Sequence, residues 1–281
     1  MDFSPLLDAI AKLDIKTPVG SALRSADWET VPLALRERAQ FSAGVENARL
    51  LQAIQDRMLG QVKLQRERLE SGETAVFDRA SFIDAIRQIA VDEGVETIQT
   101  ADDIGTIKDI RSIPRLGMIY DMQLAQANGF ARYKMDQDEG ALLLYPAQRL
   151  SDSTARKPRA DWPERWQAAG DQVGWEGALR NDFVALKTSP IWAALSRFGT
   201  PWPPFDFGST REIEDVDWEE AKALGLVKDG DVPQTSVPDF NDQLEASVAG
   251  LSPEMQRKLG LYFGEQVAIE DGRAMWTGQP A

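Results

Sequence analysis

The sequence predicts an α+β fold: a mainly helical N-terminal half with long amphipathic helices, a small mixed domain rich in tryptophan and proline, and short C-terminal helices. Three observations carry this expectation. Apolar residues recur at helical spacing through much of the first 134 residues. Seven of the 15 prolines and five of the eight tryptophans crowd between Pro146 and Pro204. Acidic residues dominate after residue 200, where 16 acids face six bases. The corresponding divisions are a helical region at 1–135, an aromatic-rich mixed α/β domain at 136–225, and an acidic helical tail at 226–281.

Taken in order, Ser4 to Leu13 reads as a short amphipathic helix, and Ala26 to Gln40 as a second helical segment whose start Pro32 limits. From Val45, Ala48, Leu51, Ile54, Met58, Val62 and Leu69 share one helix face, and Ser71-Gly72 supplies a stop. Asp78 to Glu93 is a further helix, with Asp78 or Ser81 available to cap it. Ile104, Ile107, Ile110 and Ile113 repeat every third residue up to Pro114, which must open a new segment or kink the old one. The helical pattern resumes over Arg115 to Lys134 and runs through Asn128-Gly129, a pair more common in turns. Beyond Tyr145, short strands and turns packed on aromatic rings fit the proline and tryptophan crowding. Glu212 to Asp217 reads as a strand, and Trp218 to Leu224 as a helix capped by Asp217. Asn241 to Ala249 and Pro253 to Phe263 read as helices. No fixed-period repeat is visible.

The composition excludes whole classes of chemistry. The 281 residues include no histidine and no cysteine, so imidazole- or thiolate-based zinc sites, Ser-His-Asp and Cys-His nucleophile systems and disulfides are ruled out. The longest apolar stretch, Ala141 to Tyr145, is far short of a membrane helix, and no membrane association is expected. The N-terminus carries acids where a secretory signal carries bases, which favours a cytoplasmic location. The net charge is −14. Most of it falls after residue 200, which disfavours direct nucleic-acid binding by that part and leaves either a solvated face or a docking surface for a basic partner.

Three local clusters bear on function. Asp136, Asp138 and Gly140 resemble part of a calcium loop, but Gly140 and Ala147 occupy the fifth and twelfth positions, where ligands are required. Asp161 and Glu164 flank Trp162 and lie beside Trp166, the residue types a glycosidase uses as acid, base and sugar platform. The same DWPERW run also makes a capped helix start, with Pro163 in the first turn. Arg156, Lys157, Arg159 and Arg165 form a basic cluster with interleaved tryptophans, offset by Asp152, Asp161 and Glu164. The usual nucleotide-binding and serine-hydrolase fingerprints are missing, and no cofactor or metal is expected.

Taken together and in order, RLGMIYDMQLAQANGFARYK (115–134), YPAQRL (145–150), PRADWPERWQAAG (158–170) and SPIWAALSRFGTPWPPFDFGS (189–209) resemble the phage Mu F-like family of minor head and head-morphogenesis proteins. The upstream LALRERAQFSAGVENARLLQAIQDRM is similar to the helical region of larger members, so the resemblance covers about residues 35–225. Many members carry a histidine after the Arg-containing strand and a cysteine-rich triplet after the Pro-Pro loop. Here Asp161-Trp162 and Phe205 to Ser209 stand in those places, so a metal or thiol role cannot carry over.

The resemblance implies a minor capsid protein of a phage or prophage, structural rather than enzymatic. It would contact portal protein and major capsid protein during virion assembly, in the host cytoplasm and then in the virion head, and have a part in DNA packaging or delivery. Candidate contact residues are Leu51, Met58 and Val62 on the long helix, and Trp202, Phe205 and Phe207 in the aromatic loop. The alternative is a carboxylate-based peptidoglycan hydrolase using Asp161 and Glu164.

Overall fold

The computed structural model describes residues 4–74, 78–95, 100–152, 161–180, 182–207, 209, 211–232 and 245–277. In chain order these form α1 (Ser4–Asp14), β1 (Thr17–Pro18), α2 (Ser25–Glu29), α3 (Leu33–Glu37), β2 (Ala39–Gln40), α4 (Ala48–Glu70), α5 (Arg79–Asp92), α6 (Ile113–Asp136) and α7 (Glu139–Leu144). There follow β3 (Ala147–Asp152), α8 (Trp162–Val173), β4 (Val184–Leu186), α9 (Ile191–Leu195), β5 (Arg211–Val216), α10 (Trp218–Ala223), β6 (Glu245–Ser247), α11 (Pro253–Phe263), β7 (Val267–Glu270) and β8 (Arg273–Trp276). The fold is α+β with a helical N-terminal half. Two compact units divide it: residues 6–124 with 245–277, and residues 4–5 with 125–232.

Helix boundaries in the first unit follow their caps. Asn47 accepts a hydrogen bond from the Leu50 amide and opens α4, and Asp78 does the same for Ser81 and α5. The Ser112 hydroxyl accepts from the Arg115 amide at the start of α6, so Pro114 sits in the first turn, where its missing N–H costs nothing. Pro32 breaks the 26–40 segment into α2 and α3 and stands at the N-cap of α3. The apolar face of α4 buries Leu50, Leu51, Ile54, Met58 and Val62, and α5 buries Phe82, Ile83, Ile86 and Ala90. Phe82 meets Tyr120 of α6 with ring centroids 5.0 Å apart, and the Tyr120 hydroxyl donates to Gln61 Oε1 at 2.8 Å. Arg79 forks onto Asp121 with bonds of 3.0 and 3.1 Å. The fork lies across Gly117, where a Cβ would fall 2.0 Å from the Arg79 guanidinium.

A second core in this unit joins distant parts of the chain: Val19, Val31, Leu35 and Ala39 pack with Val248, Leu259, Phe263, Val267 and Ala274. Trp28 stacks on Phe41 at 4.0 Å and faces Phe263 at 6.4 Å. Here the structure corrects two expectations. The C-terminal segment is not wholly helical: β6, β8 and β7 form an antiparallel sheet in that order. Within the helix expected over Asn241 to Ala249, the described part is instead strand β6 and a turn, paired with β8 through Ala246 and Ala274. Residues 241–244 lie outside the described residues.

The second unit is built on an antiparallel sheet of order β4-β3-β5. Ala147 pairs with Val216, and Leu150 with Ile213. Alternation sends the two pairs to opposite faces. Ala147, Val184 and Val216 pack on Ala221 of α10 and Val227. Leu150, Ala185 and Ile213 join Trp162, Trp166, Ile191, Trp192 and Phe205 in the larger core.

Candidate interaction surface

The proline-aromatic loop after α9 is held from inside. Trp202 is buried, with its ring 5.2 Å from Phe130 and 5.3 Å from Tyr133 on α6, and its indole N–H donates to Gln126 Oε1 at 2.9 Å. The Gln126 amide in turn donates to the Pro204 carbonyl at 3.1 Å. This contact explains why a turn-like Asn128-Gly129 sits within a helix: a Cβ at Gly129 would lie 2.0 Å from the Pro203 carbonyl oxygen. Glycine is the residue that lets the loop backbone close onto α6. Phe205 stacks on Trp192 at 5.9 Å.

Asp206 anchors the outer rim. It is buried, accepts from Arg165 at 2.8 Å and pairs with Arg197 at 3.7 Å. Arg165 also donates to the Leu195 carbonyl at 3.1 Å, and the Arg197 amide to the Phe205 carbonyl at 2.9 Å. Outside this anchor, Phe207 meets Phe198 edge-on at 4.9 Å, and the Arg197 guanidinium lies 5.4 Å from the Phe207 ring. Phe198 and Phe207 are half-buried, and Arg197 is exposed. The loop therefore presents a cationic and aromatic edge on a rigid base, able to take up an apolar or acidic segment.

Most of the contact residues expected from sequence lie elsewhere. Trp202, Phe205, Leu51, Met58 and Val62 are each at most 1% exposed, so they build cores instead of presenting surface. The helical stripe on α4 is spent on packing within its own unit. Only Phe207 remains accessible. The apolar side chains that do reach the surface include Ile104, Ile107 and Ile113 in the first unit, and Met135, Leu143, Leu144 and Tyr145 in the second. Except for Met135, their signals were the three-residue isoleucine repeat and the 141–145 apolar run, neither of which reveals orientation. The isoleucine segment is shaped by Asp109, buried and accepting from the amides of Gly105 at 3.0 Å and Arg111 at 2.9 Å.

The enzyme-like clusters are also placed. Asp161 and Glu164 are exposed at the start of α8, where Asp161 makes no side-chain cap bond. Trp162 and Trp166 are 1% and 0% exposed, so their faces cannot stack on a sugar. Trp162 instead carries the Arg165 guanidinium, 4.2 Å from its ring. Asp138 caps α7 through the Gly140 and Ala141 amides. Asp136 and Asp215 hold the buried Lys187 ammonium at 2.9 and 2.7 Å, and Arg132 reaches the same two carboxylates. Among the described residues no group of three acids is placed to hold a metal ion, and no helix is long and apolar enough to cross a membrane. Arg156, Lys157 and Arg159 lie outside the described residues. No family model, curated protein or solved structure matches this chain.

Proposed function

We propose that the chain is a minor structural protein of a phage or prophage head, acting in head morphogenesis by contact with portal protein and major capsid protein. The observation that carries this reading is the convergence of the resembling segments. The later half of 115–134, the 145–150 strand, the described part of 158–170 and the 189–209 loop pack into one unit. The three later segments share the core around Trp192, and Phe130 and Tyr133 pack on Trp202 of the same loop. The contact surface in this reading is the Arg197–Phe198–Phe207 edge, and the role is binding, with Asp161 and Glu164 exposed at the helix start.

The test is co-expression with portal and major capsid proteins of the same phage or prophage, followed by purification of assembling heads and quantification by mass spectrometry. The expected result is co-purification, reduced at least tenfold by Arg197→Ala with Phe207→Ala, since a tenfold loss corresponds to about 1.4 kcal/mol. Absence from both procapsids and virions would overturn the reading. Clearing of purified cell walls by the wild type, lost in Glu164→Gln, would replace it with a hydrolase.

A further inference from the structure

The end of α1 and the end of α3 bring together a buried amine and a carboxyl group. Lys12, in the last turn of α1, is 3% exposed, and the side chain of Glu37, the last residue of α3, is 13% exposed. Lys12 Nζ is in direct contact with Glu37 Oε2. The two backbones are fixed on both sides of this contact. Thr17 pairs with Ala39 in the β1–β2 ladder, and its amide donates to the Arg38 carbonyl at 2.8 Å. The Gln55 side-chain amide on α4 donates to the carbonyls of Leu13 at 3.0 Å and Lys16 at 2.7 Å, holding the end of α1 in place.

Cations surround the pair. Arg38 is buried, its guanidinium 5.3 Å from the Trp276 ring, and the Lys16 ammonium donates to Gln123 at 2.8 Å. Burial, then the charges of Lys16 and Arg38, hold the Lys12 amine well below the usual lysine range. A lysine desolvated beside other cations is the activated, nucleophilic form of that residue. An ion pair taken out of water also carries a desolvation cost, which condensation to a neutral amide removes.

We propose that Lys12 and Glu37 join as an intramolecular amide, a covalent crosslink between α1 and α3. One proton passes from the Lys12 ammonium to the Glu37 carboxylate, giving amine and carboxylic acid. Nζ then bonds to Cδ, and a tetrahedral oxyanion forms on the former carboxyl group. The bond from Cδ to the protonated oxygen breaks, and that oxygen leaves as water with a second proton from Nζ. The step needs no oxidant and no further reagent.

Intact mass spectrometry of the full-length protein, unfolded after purification, tests this directly. The wild type is expected to be lighter than its sequence mass by one water. Tandem spectra of a proteolytic digest should contain a branched peptide joining the Lys12 and Glu37 segments. Lys12→Arg, whose guanidinium does not acylate under these conditions, should keep its full sequence mass. A wild-type sample at its full sequence mass, with circular dichroism showing it folded, would overturn the proposal. So would a water loss mapped elsewhere, such as a succinimide at Asp229-Gly230 or Asp271-Gly272. The wild-type measurement decides even if the variant does not fold.

Discussion

Glycines at close approaches and glycines in open space give opposite expectations for the same substitution. At Gly129 a methyl group meets the Pro203 carbonyl, and overpacking costs about 1–3 kcal/mol, more than the roughly 1 kcal/mol that alanine gains over glycine in a helix. Gly60, on the exposed side of α4, meets nothing within 4 Å. Gly129→Ala should therefore lower the urea midpoint and Gly60→Ala should raise it. Trp202→Ala should cost about 3–5 kcal/mol through cavity formation, whereas Phe207→Ala should leave the midpoint nearly unchanged. Equal losses for the two aromatic variants would contradict the division between inner wall and outer rim. Titration adds a further residue-scale expectation. Burial lowers the Lys16 pKa to about 8 from its ordinary 10.5, so between these values the unfolded chain binds more protons than the folded one. Stability should rise as pH increases through that window, and Lys16→Met should flatten the rise in urea melts taken from pH 7 to pH 10.5.

At the scale of elements, what could be read from sequence depended on the source of the signal. Helices with a cap and a sustained apolar period were legible: α4, α5, α10 and α11 lie within a few residues of their expected bounds, and β5 is displaced by one residue. The β6–β8 sheet was not legible as a sheet, because its strands have only three or four residues and owe their existence to their partners more than to local propensity. One local clue was present. Asp271-Gly272 joins β7 to β8 with both residues at positive φ, 49° and 73°, the two-residue hairpin turn that Asp-Gly favours. The aromatic loop was legible as a packing device, yet residue type alone could not separate Trp202 and Phe205, which face inward, from Phe207. The α4 stripe failed as a contact surface for a related reason. An amphipathic period shows that a face is covered, and here α5, β1 and β2 of the same unit pack against α4.

At the scale of the molecule, the late acidic segment is partly structural. Its strands and α11 complete a core with residues 19–39, while charges such as Glu254 and Lys258 pair on the exposed side of α11. Removal of residues 245–281 should expose Val19, Val31 and Leu35. Hydrogen exchange would then show lost protection over residues 19–40, with protection over residues 162–205 retained. Loss of protection in both regions would contradict two separate cores. The same arrangement sets an order of events during synthesis. The residues of the Trp192 core leave the ribosome in one continuous run and can pack as soon as β5 has emerged. Val31 and Leu35, made far earlier, must wait for α11 and for strands β7 and β8. Until β8 has emerged, these early residues expose apolar surface that a nascent-chain chaperone is suited to cover.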